Sequence, residues 1–596
     1  MNEPLDLRLL ALFNQGRYPE LEQLAQAVTT DLPDEGFAWK MLGLALMQQQ
    51  RASEALSPLQ KALALQPEDH EIHCFLGLVF EDLGRPDLAE EGFRGALSLN
   101  PHYVDALNNL GNTMRKQGRL SEAATCYRQA FTLAPRQGEV QLNLGETLRE
   151  MGRMNEAADC YAQAADLHPE RIEMHVNLGN IHYAQHRFVA AETSYRHALT
   201  LRPDDIVALS NLGSALKAQD RPREAEAAYR QLLTTHPRFV GGYYNLGVLL
   251  TAQRRFTEAE TLYRQALEMQ PDHLETRWNL GLLCLALGRF QEGWPLHEAR
   301  LRLPGSQEHA ILPTHLPFPM WQGEDLTNKA LLILPEQGFG DQIQFCRYTT
   351  RLRAQGVGRL TLCCKPPLLA LFSSLAGVHR LLPEAEIRHQ IHHDYWTFPL
   401  SLPAFLGTTP SSIPTATPYL HPPPERLTAW AGIRELPGMR LGLAWKGNPA
   451  FRNDQNRSLP GLSVLAPLWS VSGISFVSLQ KGAGEEEATH PPPGQPLLAV
   501  GTAIRDFADT AAIVQQLDLV ICSDSAVAHL VGALGKPCWV MLSWEADWRW
   551  MHHREDSPWY PGMRLFRQHR PGDWSGVVQR MQEALARIGN GTHVSP

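Results

Sequence analysis

The stretch LGNTMRKQGRLSEAATCYRQAFTLAP, residues 110–135, decides how the first half of the chain folds. Gly111 is followed twelve positions later by Ala123, and then by Ala130 and Pro135. The spacing recurs. Glycine stands at Gly43, Gly77, Gly111, Gly145, Gly179, Gly213, Gly247 and Gly281, 34 residues apart each time. Alanine follows at Ala55, Ala89, Ala123, Ala157, Ala191, Ala225 and Ala259. Proline closes the units at Pro67, Pro101, Pro135, Pro169, Pro203, Pro237 and Pro271. Small residues let the two helices of a hairpin approach closely. Proline cannot continue a helix, so it ends one unit and begins the next. The pattern predicts a stack of helical hairpins, eight in register from residue 2 to 273, the first of them weak.

This 34-residue helix–turn–helix pattern resembles the tetratricopeptide repeat. A ninth unit, 274–307, begins well with RWNLGLLCLALGRF and then departs: Gly293 stands where alanine is expected, and Trp294 follows. The departure reads as a cap turning toward another domain. The expected superhelix spans 2–307. Asn109, Asn143, Asn177, Asn211, Asn245 and Asn279 each sit two residues before a repeat glycine, on the first helix of the unit. Side chains at one repeat position stack along one line of a solenoid. A line of amides offers donors and acceptors to an extended peptide backbone. The competing reading is that the asparagines only bond neighbouring helices. Met41 and Phe75 occupy the same position in earlier units, which favours the ladder. It resembles the repeat domain of O-GlcNAc transferase, and that resemblance implies a protein acceptor in the groove.

The 596-residue chain is 44% hydrophobic and 20% charged, the balance of a soluble multidomain protein. A formal charge of −9 argues against a nucleic-acid binder working by phosphate neutralisation. No apolar run reaches the length of a membrane span. The opening MNEPLDLRLLALFNQG is a poor signal peptide, so a cytoplasmic location is expected. The nine cysteines form no C-x-x-C pair and read as free thiols.

After a proline-rich linker, 308–328, the pattern changes. KALLILPE, RLTLCC, RLGLAWKGN, ISFVSLQKG, DLVICSD and PCWVML read as buried strands, with helical stretches between them. Such alternation implies parallel sheets. A second proline-rich stretch around 421–437 separates a first lobe, 329–420, from a second, 438–590. The expected fold class is an α-solenoid followed by two α/β lobes, the arrangement of GT-B glycosyltransferases.

Two stretches carry the chemistry. ILPEQGFGDQIQFCRY, Ile333–Tyr348, is a strand, a loop with Gly338 and Gly340, and a helix start carrying Asp341. DLVICSDSAVAHLVGALGKP ends a strand at Asp524 and begins a helix at Ser525. A helix N-terminus at the carboxyl edge of a parallel sheet is an anion site. Ser525 supplies a hydroxyl, and His529 shares its helix face. The plainer readings are a helix cap for Asp341 and for Asp524, and a satisfied interior histidine. With GLAWKGN, these stretches resemble glycosyltransferase family 9, the heptosyltransferases, over roughly residues 325–590. The order of repeats and transferase resembles bacterial TPR-containing glycosyltransferases.

The resemblance implies an inverting, metal-independent transfer. Asp341 falls on the family's general base, and Lys446 on its diphosphate-contacting cation. Asp524, Ser525, Ala526 and His529 fall on its nucleotide loop. The family's loop carries threonine and glycine where this chain has Ser525 and Ala526, which leaves the donor sugar open. Lys481 is a second diphosphate candidate, Arg457 a weaker one. The aromatic stretch with Trp548, Trp550, Trp559 and Tyr560 reads as packing across the lobes rather than as a sugar pocket. Adjacent His552 and His553 do not share a helix face, and no D-x-D motif occurs, so no metal is assigned. No cofactor is expected beyond the nucleotide-diphosphate sugar. Alternatives are transfer to a cell-surface saccharide, or a non-catalytic protein-interaction scaffold with a degenerate transferase domain.

Overall fold

The computed structural model describes residues 4–304, 316–387, 392–451 and 453–589. Of the expected domains, residues 2–3, 305–315, 388–391, 452 and 590 lie outside the described residues. The chain divides into two compact units, Met1–Asn245 and Leu246–Pro596.

The first unit is a run of antiparallel helix pairs, from Leu5–Asn14 with Tyr18–Asp31 to Ile206–Ala218 with Pro222–Thr235, closed by the first turns of helix Val240–Ala252. The glycine period has a steric cause. A Cβ on Gly111 would stand 2.7 Å from the Tyr127 ring, and one on Gly213 would stand 2.4 Å from the Tyr229 ring. From Gly77 to Gly247 each repeat glycine therefore seats the ring sixteen positions on, while Gly43 seats Leu59. The rings are buried, and their hydroxyls find acceptors: Tyr127 donates to Asn112 at 2.6 Å and Tyr195 to Asn180 at 2.9 Å.

A second period runs along the outside. Arg51, Arg119, Arg153 and Arg221 stand at the N-cap of the second helix of their units. Three of them bridge two carboxylates, one on their own helix and one on the preceding unit. Arg51 pairs with Glu54 and Glu22, Arg119 with Glu122 and Glu90, and Arg221 with Glu224 and Glu192. Glutamates in the first helical turn also suit the helix dipole.

The second unit opens with helices Phe256–Met269, Leu274–Ala286 and Phe290–His297 and the 3₁₀ turn Glu298–Arg302. Two parallel sheets follow. The first has β1 (Ala330–Ile333), β2 (Arg359–Cys364), β3 (Arg380–Pro383) and β4 (Tyr395–Thr397), in the order β3-β2-β1-β4. The second has β5 (Met439–Ala444), β6 (Ile474–Ser478), β7 (Leu498–Ala499), β8 (Leu519–Ser523), β9 (Cys538–Leu542) and β10 (Met563–Arg567). Its order is β10-β9-β8-β5-β6-β7, parallel throughout. The chain reverses its direction of winding between β1 and β4 in the first sheet, and between β5 and β8 in the second. At such switch points the loops part and leave a crevice at the carboxyl ends of the strands.

The segments expected as linkers are anchored. Trp321 is buried, and its backbone N–H donates to the Trp396 carbonyl at 2.7 Å, alongside β4. Arg426, on helix Pro424–Ala429, donates to Asp509 at 2.8 Å and to Asp506 at 3.0 Å, and so binds the interlobe segment to helix Phe507–Gln515.

The ninth helix pair does turn toward the sheets. Trp294, which follows Gly293 at the expected alanine position, is buried and donates its indole N–H to the Thr408 carbonyl at 3.0 Å. Arg300 pairs with Glu336 at 2.8 Å, both buried, just ahead of the glycine loop. The segment after β9 reaches back to the last repeats. The Arg254 guanidinium lies 3.6 Å from the Trp544 ring centre and donates to the Trp544 carbonyl, while the Trp544 indole donates to the Ala252 carbonyl at 2.9 Å. The His552 ring stacks on Phe256, and its backbone N–H donates to the Ala286 carbonyl at 2.9 Å. All nine cysteines are free. No helix among the described residues is long and apolar enough to cross a membrane.

Candidate functional site

The glycine loop after β1 and the loop after β8 meet. A Cβ on Gly340 would lie 2.8 Å from His529 Cδ2 and 3.5 Å from Ala526 Cα, so glycine here permits close approach of the helices Phe339–Phe345 and Ala526–Ala533. This contact brings Asp341, which bonds a buried guanidinium, near Asp524, 183 positions on in sequence, which feels the charge of the same group.

That guanidinium belongs to Arg549, which the motifs did not single out. It is buried, and all three of its nitrogens are engaged. Nε donates to Gln344 Oε1 at 2.8 Å, Nη1 to both oxygens of Asp547 at 2.9 and 3.1 Å, and Nη2 to Asp341 Oδ1. The only sign in the sequence is a charged D-x-R set between tryptophans in EADWRW, residues 545–550.

Asp341 stands in the first turn of its helix, and its Oδ2 accepts the Gly338 N–H at 2.9 Å. The plain capping role is therefore realised alongside the ion pair. Burial raises its pKa above the ordinary carboxylate value against the pull of Arg549, and the carboxylates of Asp547 and Glu336 add to the rise. Asp524 is pushed up to about 6, by burial first and by Asp547 second, against Arg457 and Arg549. Ser525 begins helix Ala526–Ala533 without capping it through its side chain. The Oγ atoms of Ser523 and Ser525 are buried without a hydrogen-bond partner among the described residues.

The other candidates are placed as follows. Lys446 follows β5 at the switch point, but its ammonium pairs with Glu487. Its backbone is held by Gln480, whose Oε1 accepts the Lys446 N–H at 3.0 Å. Lys481 donates to the Gly501 carbonyl at 2.8 Å and stands 3.6 Å from Glu485. Arg457 bonds Asp454 at 3.2 Å and lies over the Phe451 ring. His529 does not face the opening beside Ser525. It turns inward, bonds the Tyr560 hydroxyl at 3.0 Å and stacks on Trp550. Burial holds its pKa well below the ordinary histidine value, so it is a neutral packing residue that the interior reading describes better. Trp548, Trp550, Trp559 and Tyr560 are buried in the core, as the packing reading has it. Among the described residues no group of three or more His, Cys, Asp or Glu is arranged to hold a metal ion.

The asparagine ladder divides. Asn143 donates to Asn108 at 3.0 Å, Asn211 to Asn180 at 2.8 Å and Asn245 to Ser210 at 3.1 Å, each on the preceding unit. Asn109 reaches Cys74 at 4.0 Å, and Asn279 bonds its own helix at Glu275. These five amide N–H groups are structural, because half-buried donors need partners. Asn177 differs. It has no side-chain hydrogen bond among the described residues, and it lines a cavity of about 290 Å³ with Glu146, Arg149, Tyr161 and Asn180.

Tetratricopeptide-repeat models match residues 7–70, 70–103, 104–137, 136–203, 170–237, 210–265 and 241–292. The first half of the chain is thus built of tetratricopeptide repeats. Protein FlbA of Caulobacter vibrioides is 30% identical over 297 residues, which are 45% of this chain and 48% of FlbA. The chain spans about half the length of this curated relative. Among solved structures, PilF of Pseudomonas aeruginosa is 25% identical, covers 35% of this chain and 94% of its own, and has a TM-score of 0.31. YrrB, described as a TPR protein with an unusual peptide-binding site, is 21% identical, covers 32% of this chain and 97% of its own, and has a TM-score of 0.28.

Proposed function

We propose that the protein is a glycosyltransferase of GT-B type that moves a sugar from a nucleotide-diphosphate sugar to a hydroxyl of a protein held by the repeats. The observation that carries this reading is the convergence of two parallel-sheet switch points, with Asp341 on one side and Lys446, Asp524 and the 526–533 helix N-terminus on the other. Asp341 takes the proton of the acceptor hydroxyl. The acceptor oxygen bonds to the anomeric carbon as the bond from that carbon to the diphosphate oxygen breaks. The electron pair leaves with the nucleoside diphosphate, and the helix N-terminus, Lys446 and Arg457 offset its charge. Asp524 suits a ribose hydroxyl, since its carboxylate oxygens accept from it.

A second reading has specific support. Repeat matches run over residues 7–292, and repeats of this kind bind peptide partners, so a protein-interaction scaffold is the part of the function the comparisons favour. One experiment separates the readings. Calorimetry against ADP, GDP, UDP and CDP is followed by intact-mass analysis of acceptors co-expressed with the wild type and with Asp341→Asn. The transferase reading expects micromolar binding of one nucleotide, and a mass increment on the acceptor that falls about 10²–10⁴-fold in rate in the variant. Absence of nucleotide binding leaves the scaffold.

A further inference from the structure

The cations of the crevice are committed before any ligand arrives. Lys446 pairs with Glu487, Lys481 bonds the Gly501 carbonyl, and Arg457 bonds Asp454. An incoming diphosphate must therefore draw a cation away from a protein acceptor. Arg549 can give up two contacts while keeping a third: its planar guanidinium can pivot on Nη1, which both oxygens of Asp547 hold from two positions away, and Nε then leaves Gln344 as Nη2 leaves Asp341. Only the Nη2 edge holds Asp341. The pair is largely buried, with the Asp341 side chain 17% exposed and that of Arg549 8%. Asp341 keeps the Gly338 N–H when the guanidinium turns away, so the carboxylate stays in place. Helix Ala526–Ala533 begins beside the Asp341 turn, since a Cβ on Gly340 would lie 3.5 Å from Ala526 Cα, and its N-terminus and the unpartnered Ser525 hydroxyl are groups that would receive the same anion.

We propose that Arg549 passes between the Asp341 carboxylate and the donor's diphosphate, so that donor entry frees the base. The proposal rests on the transferase reading and adds an order to it: donor first, then a competent Asp341. An idle Asp341, masked by the guanidinium, is a poor proton acceptor. The nucleoside diphosphate and Asp341 compete for one ligand.

Competition for one guanidinium predicts opposite effects of losing the carboxylate and of losing the guanidinium. Kd values for the tightest-binding of ADP, GDP, UDP and CDP are measured by calorimetry for the full chain and three variants. Asp341→Asn removes the competitor and tightens binding severalfold. Arg549→Gln weakens it by about tenfold or more, the loss of a charge-assisted contact. Arg549→Lys restores part of the affinity. An unchanged or weaker Kd in Asp341→Asn overturns the proposal and leaves the transferase reading standing. If Arg549→Gln fails to fold, the Asp341→Asn arm still decides. If the wild type binds no member of the panel, the transferase reading falls and the exchange falls with it.

Discussion

Asp524 sits in an unfavourable position for a charged group. A carboxyl whose pKa is pushed up to about 6 destabilises the folded state wherever it is ionised. The sign follows from its two states. Above pH 6 both the folded and unfolded forms carry the charge, and the folded form pays the full penalty of burying it. Below about pH 4 neither is charged, and the penalty is gone. Asp524→Asn is therefore expected to raise the melting temperature at pH 7.5 by about 2–4 °C. The gain shrinks toward pH 4 in a pH series, and nucleotide affinity falls in the same variant. A variant that is no more stable at pH 7.5 would show that the carboxyl is not strained. Asp341 and Asp524 were legible in sequence because the first follows a strand run and a glycine loop and the second follows a strand run ending at Ser523. Arg549 was not, since its partners Gln344 and Asp341 lie about two hundred positions upstream and nothing local announces them. His529 misled for the opposite reason. Helical spacing put it beside Ser525, but the ring's size and the absence of a Cβ at Gly340 draw it inward.

The repeats show the same contrast between elements. The glycine, alanine and proline periods are visible because sterics fix them. The arginine period at Arg51, Arg119 and Arg221 went unread, although it is as regular, because an exposed charge carries no packing signal by itself. The amide ladder was legible as a line but not in its purpose, since only contacts show where each N–H goes. A differential effect is expected. Asn211→Ala removes one of two donors to Asn180 Oδ1, leaving the Tyr195 hydroxyl, and costs about 0.5–1.5 kcal/mol in a denaturant titration. Asn177→Ala changes stability little and weakens acceptor binding instead. Equal stability losses would assign both to helix packing. Among the strands, the six long apolar runs were read. β3, β4, β7 and β10 were not: β4 has three residues and β7 two, too short for any period to register.

At the scale of the molecule, acid should unfold the second unit. His297 and His529 are held well below the ordinary histidine pKa by burial, and burial lowers His393 and His552 to about 4. The unfolded chain takes up these protons below pH 6.5 while the folded chain does not. Stability is therefore lost as pH falls from 6.5 toward 4. Asp341 and Asp524 oppose this, but two acids stand against four histidines. Melting temperatures at pH 7.5, 6.5 and 5.5 should decrease in that order, and a flat or rising series would contradict the burial of these rings.

The boundary at Leu246 bears on how such a protein can be inherited and recombined. The array looks modular in sequence up to residue 307, yet its last helix pairs belong to the compact body that carries the sheets, through Arg254 on Trp544, His552 on Phe256 and Trp294 on Thr408. Units upstream of helix Val240–Ala252 belong to a compact body of their own, built of repeats that can change in number one whole unit at a time. The pairs after it are fixed equipment of the sheet-bearing half, and a lineage that swapped them would expose the indoles of Trp544 and Trp548.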